Sequence, residues 1–64
     1  MSHKIMVVDD EPTVRYTFDR YLTRAGHEVL AVETGEEALN RIASFEPDLV
    51  ITDVRMPGMS GLDL

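Results

Sequence analysis

Leu49-Val50-Ile51-Thr52-Asp53-Val54 is the stretch whose reading decides the fold. From Leu49 to Thr52 every residue is apolar or β-branched. That is the composition of a strand buried on both faces of a parallel sheet. Asp53 then places a carboxylate at the carboxyl end of the strand, and in open α/β sheets ligands bind in the crevice outside those ends. Arg55-Met56-Pro57-Gly58-Met59-Ser60-Gly61 follows as a loop rich in turn residues. Taken alone, these residue types leave two readings open. Asp53 is either a reactive or metal-binding carboxylate, or a strand-terminating residue that caps a turn.

Moving toward the amino terminus, the same pattern recurs. Lys4-Ile5-Met6-Val7-Val8 reads as a second fully buried strand, and it too runs into acids, Asp9-Asp10-Glu11. Pro12 suits the first turn of a helix, where its missing N–H is harmless. Val14, Phe18, Tyr21, Leu22 and Ala25 then lie on one helical face, with Arg15, Asp19, Arg20 and Arg24 off it. Gly26 is the expected stop. The spacing of Phe18 and Tyr21, with Tyr16 beside them, predicts core packing or half-buried surface rather than a stacking platform. Glu28-Val29-Leu30-Ala31-Val32 is a third strand. Thr34-Gly35-Glu36-Glu37 fits a capping box and opens a second helix with Ala38, Leu39, Ile42 and Phe45 on its apolar side. Glu46-Pro47 ends it, because a residue before proline resists helical dihedrals. Leu62-Asp63-Leu64 reads as the start of a third helix. His3 and His27 are read as surface residues. The order β-α-β-α-β implies a parallel sheet with right-handed crossovers.

Composition narrows the function classes. The chain has 64 residues, enough for one small domain. A domain of this size buries only ~60% of the surface its unfolded chain exposes. Its net charge is −6, from 12 acids against 6 bases, which argues against direct nucleic-acid contact. The absence of cysteine removes disulfides and leaves oxygen and imidazole as metal ligands. Its longest apolar run is far too short to span a bilayer, and the amino terminus lacks a signal-peptide pattern. A cytoplasmic protein without membrane contact is expected.

If the strands at residues 4–8 and 49–53 are neighbours, a strand spacing of ~4.8 Å gathers Asp9, Asp10 and Asp53 at one rim. Three carboxylates so close need a cation between them. Short oxygen ligands suit Mg²⁺ or Mn²⁺, and Mg²⁺ keeps waters and phosphate oxygens in its shell. One Asp can then act as nucleophile toward a phosphoryl group. The alternative is two unrelated clusters of surface acids.

At this point the residues match a family. Ile5-Met6-Val7-Val8-Asp9-Asp10-Glu11 resembles the first strand and acidic pair of bacterial two-component response regulator receiver domains. The segment from Leu49 through Asp53 to Met56-Pro57-Gly58-Met59-Ser60-Gly61 resembles their phosphoacceptor strand and loop, and Thr34-Gly35-Glu36-Glu37-Ala38-Leu39 is similar to their second helix. The resemblance implies a flavodoxin-like, CheY-like α/β fold with strand order 2-1-3 in this portion. It implies that residues 1–64 are the amino-terminal part of a receiver, truncated at the start of the third helix. It also implies that Asp53 is the phosphoacceptor for a sensor histidine kinase. Mg²⁺ would be held directly by Asp10, by Asp53 and by the backbone carbonyl of Arg55, with Asp9 acting mostly through a coordinated water. The chain would be a signalling module rather than an enzyme. The run Asp53-Val54-Arg55-Met56-Pro57 resembles that of regulators with an ATPase and a DNA-binding domain downstream, which implies control of transcription by the full-length protein.

A complete receiver has five βα units. This chain ends earlier, so the Thr or Ser of the fourth strand and the Lys of the fifth have no position in it. The strand that delivers Asp53 becomes an edge, and an exposed apolar edge is a template for pairing. Self-association through the edge at residues 49–54, about a two-fold axis, is the expectation. Two other readings compete. One is a non-catalytic fragment that acts only by self-association. The other is a phosphohydrolase, since Asp9-x-Glu11-x-Thr13 partly resembles the first-strand motif of haloacid dehalogenase-like phosphatases. Those carry Asp where Glu11 stands and would make Asp9 the nucleophile.

Overall fold

The computed structural model describes residues 2–52. The expectations for Asp53, Val54, the loop at 55–61 and the helix start at 62–64 lie outside the described residues. Within them the order is β1 (Lys4–Val8), α1 (Pro12–Arg24), β2 (Glu28–Val32), α2 (Gly35–Phe45) and β3 (Leu49–Thr52). The strands form one parallel sheet in the order β2-β1-β3, as expected.

The central strand is buried on both faces because a helix covers each. Side chains alternate along a strand, so Met6 and Val8 point one way and Ile5 and Val7 the other. Met6 and Val8 join Val32 and Ala38 in a core cluster, with Leu30, Phe45 and Val50 against it. Ala38 and Phe45 belong to α2, so α2 covers this face. Ile5 and Val7 are equally buried on the opposite face, under α1. The near-continuous apolar run of β1 is therefore what a strand between two helical layers requires.

Local chemistry sets the helix ends. Pro12 occupies the start of α1. The end of α1 is a Schellman motif: Gly26 sits at φ +97, its N–H donates to the Thr23 carbonyl at 3.0 Å, and the His27 N–H donates to the Leu22 carbonyl at 3.1 Å. At the start of α2, Thr34 Oγ1 accepts from the Glu37 N–H at 3.0 Å. Glu37 Oε1 reaches back to the Glu33 N–H at 3.2 Å, one residue further out than the usual reciprocal bond. Glu46 ends α2 in the left-handed region, at φ 52 and ψ 62.

Three expectations are corrected. The inward face of α1 is turned toward Arg15 and Leu22, which are half-buried with Val14, whereas Ala25 is exposed. Tyr16 and Tyr21 are 63% and 74% exposed, so they do not pack in the core; Phe18, at 37%, is marginal. Apolar spacing fixes a helix face only to within the 100° step between neighbours, and the bond Arg15 makes inward, described below, draws that flank toward the sheet. The apolar side of α2 is likewise narrower than expected, with Leu39 and Ile42 44% and 37% exposed.

Candidate functional site

The carboxyl rim of the sheet is built from the ends of all three strands. The parallel register pairs Val8 with Val32 on one side and with Thr52 on the other. The chain therefore leaves β1 and β3 from partnered positions, and the next residues in sequence are Asp9 and Asp53. Asp53 and Arg55 themselves lie outside the described residues.

Asp9 is the structural member of the acidic pair. Its N–H donates to the Val32 carbonyl at 3.1 Å, extending the β1–β2 ladder past the strand end. Its carboxylate Oδ1 accepts from the Glu11 N–H at 2.9 Å, closing an Asx turn. Its carbonyl accepts from Arg15 Nη1 at 2.8 Å. Three contacts from three directions fix this residue, and one carboxylate oxygen remains.

Asp10 is different. It is exposed, and its carboxylate has no hydrogen-bond partner among the described residues. It stands at the amino end of α1, whose first backbone N–H groups carry partial positive charge. Glu11 follows as the helix N-cap without a side-chain cap bond, and its carbonyl accepts the first helical bond, from the Arg15 N–H at 3.1 Å. Thr13 is exposed, and its carbonyl accepts from Thr17 Oγ1 at 2.8 Å.

The donor set fits a hard divalent cation. Asp10 offers a free carboxylate and Asp9 one remaining oxygen, and Mg²⁺ takes few protein oxygens while keeping waters. No group of three His, Cys, Asp or Glu side chains assembles among the described residues. Sequence reading missed two members of the rim. Arg15 was placed off the inward face, although it stands four residues after Glu11, the helical spacing that brings it back over the turn. Glu33 follows β2 as Asp9 follows β1, and its N–H is held by Glu37.

The histidines lie at the opposite rim. The His3 N–H donates to His27 Nδ1 at 3.1 Å, and the two rings stack at 5.5 Å. They take no part in the acidic rim.

Comparison with known proteins places this geometry. The description "Response regulator receiver domain" matches residues 5–64. The chain is 46% identical over 61 residues to the two-component response regulator PhoP of Pseudomonas aeruginosa, covering 95% of this chain and 27% of that protein. It is 43% identical over 60 residues to the DNA-binding transcriptional regulator NtrC of Escherichia coli, covering 94% of this chain and 13% of that protein. Among solved structures it is similar to the response regulator TrrA of Thermotoga maritima in complex with Mg²⁺–BeF. The match has a TM-score of 0.88 at 48% identity and covers 95% of this chain and 53% of that one. The chain thus spans about half of this solved relative and about a quarter or less of the two curated ones.

Proposed function

The chain belongs to the response regulator receiver domain family, and from that membership we propose that Asp53 accepts a phosphoryl group from a sensor histidine kinase at a Mg²⁺-dependent site. The observation that carries the reading is the register: Val8 and Thr52 are Cα partners on adjacent parallel strands. Acids that follow these two residues start from one rim.

Each residue then has a role. The Asp53 carboxylate oxygen attacks phosphorus, the bond from phosphorus to the donor's imidazole nitrogen breaks, and the departing imidazole takes a proton. Asp10, Asp53 and the Arg55 carbonyl would hold Mg²⁺ directly, and Asp9 would act mostly through a coordinated water. The chemistry the cation supplies is neutralisation of charge on the phosphoryl oxygens during transfer. Asp9, pinned by three contacts, keeps the rim in shape. The module is a substrate and switch for the kinase rather than an enzyme with a turnover of its own. It works in the cytoplasm, and the resemblance to NtrC and PhoP supports an output in transcription. The far edge of β3, where Leu49 is 52% exposed, pairs with a second copy when nothing else covers it.

Incubation with a small-molecule phosphodonor and Mg²⁺, followed by intact-mass and peptide mapping, tests the reading. The expected adduct is one phosphoryl group on Asp53, absent from Asp53→Asn and from samples with excess chelator. An adduct on Asp9 would favour the phosphohydrolase reading and overturn this one.

A further inference from the structure

We propose that Arg15 is a positioning residue for the acidic turn, acting through the Asp9 carbonyl rather than through its charge. The inference rests on the reading of this rim as a Mg²⁺ site.

Arg15 ties both ends of the turn at 9–11 to α1. Its Nη1 donates to the Asp9 carbonyl at 2.8 Å, and its backbone N–H donates to the Glu11 carbonyl at 3.1 Å. The side chain is half-buried, so this bond is sheltered from competing water. The Asp9 carbonyl belongs to the peptide plane that joins Asp9 to Asp10. Peptide planarity means that holding this oxygen also holds the Asp10 nitrogen and Cα, the point from which the Asp10 side chain leaves the backbone. Asp10 has no side-chain partner among the described residues, so nothing else there restrains its carboxylate. Arg15 supplies from the helix the order that the free ligand lacks.

Charge and position predict opposite signs. A guanidinium beside a cation site repels the cation, so if charge were its role, removing it would tighten Mg²⁺. If position is its role, removal loosens the turn and weakens Mg²⁺. Groups that orient metal ligands are worth ~10–100-fold in affinity.

The test is Mg²⁺ titration of the folded protein as wild type, Arg15→Ala and Arg15→Lys, alongside amide hydrogen exchange of Asp10 and Glu11 without metal. Arg15→Ala is expected to weaken Mg²⁺ by ~10-fold and to speed exchange at Glu11 beyond any change in global unfolding. Arg15→Lys, which keeps a donor, is expected to stay within about threefold of wild type. Unchanged or tighter Mg²⁺ binding in Arg15→Ala, or a lysine variant as weak as the alanine, overturns the proposal. If the wild type binds no Mg²⁺, the metal-site reading fails by itself. The exchange measurement still decides Arg15, because unaltered exchange at Glu11 in Arg15→Ala overturns the positioning role.

Discussion

The two rims of the sheet are built from similar residues and treat them in opposite ways. At the amino rim, Asp48 is consumed by structure. Its Oδ2 accepts from the Lys4 N–H at 2.8 Å, and its own N–H donates to the Lys4 carbonyl at 2.7 Å, a reciprocal clasp between β1 and the approach to β3. The Glu28 N–H donates to the His3 carbonyl at 2.9 Å, and Lys4 Nζ lies over the Phe45 ring at 4.8 Å. At the carboxyl rim, Asp10 has no side-chain partner among the described residues, beside Asp9 and Glu11. Helix polarity separates the rims further. In a parallel α/β arrangement the helices begin where the strands end, so the acids of the carboxyl rim meet the positive ends of the helix dipoles. An aspartate that spends its oxygens on backbone N–H groups holds the fold together. One that keeps them free is available to a ligand.

The largest effect expected from this contrast is on Asp10. Asp10→Asn should lower Mg²⁺ affinity by at least ~10-fold, a loss of about 1.4 kcal/mol. Without metal its stability should stay within ~0.5 kcal/mol of wild type, because the carboxylate has no hydrogen-bond partner among the described residues and relief of repulsion from neighbouring acids offsets the lost attraction to the helix dipole. Isothermal titration with Mg²⁺ and urea unfolding in chelator measure the two quantities. Asp48→Ala should behave the other way round: about 1 kcal/mol less stable, from one lost hydrogen bond, with Mg²⁺ affinity unchanged. His3 Nδ1, 3.9 Å from Asp48 Oδ2 in a pair more than half exposed, adds little to that figure. A stability loss in Asp10→Asn as large as in Asp48→Ala would erase the distinction between the rims.

The strands and the helix starts were legible in the sequence because each rests on a local or periodic signal, whereas the strand order came only with the family resemblance. The apolar runs at Ile5 to Val8 and Leu49 to Thr52, the Thr34–Glu37 box and Gly26 each specify what the chain does within a few residues. What escaped depends on contacts across the fold. The inward tilt of α1 reflects a side chain, Arg15, reaching back to a carbonyl in the preceding turn, and no apolar pattern encodes that. His3 and His27 meet because β1 and β2 start side by side, which sequence spacing does not announce. Of the site, Asp9 and Asp10 were legible as a pair and the resemblance implied different roles for them, but the contacts that tie Asp9 into the fold were not legible. Those contacts depend on where the Glu11 N–H and the Val32 carbonyl lie once the chain has folded.

The smallest effect expected lies at the amino rim, where both helices end and end differently. α1 stops at Gly26, with Arg24 in its last turn, and both suit a helix C-terminus. α2 stops at Glu46, which has a β-carbon in the left-handed region and a negative charge at the negative end of the dipole. Pro47 explains why the helix stops: the residue before proline is kept from continuing it, and in the left-handed turn the Glu46 N–H still donates to the Ile42 carbonyl at 2.9 Å. A side chain costs ~1–2 kcal/mol in that region, and glycine gives back part of this through its greater freedom in the unfolded chain. Glu46→Gly should therefore stabilise by ~0.5 kcal/mol. Glu46→Gln, which removes the charge and keeps the β-carbon, should gain only ~0.3 kcal/mol, and this gain should vanish in high salt. Urea midpoints at two ionic strengths separate the two contributions. If the glutamine variant equals the glycine one, the cost at α2 is electrostatic, and the contrast with α1 reduces to the placement of Arg24.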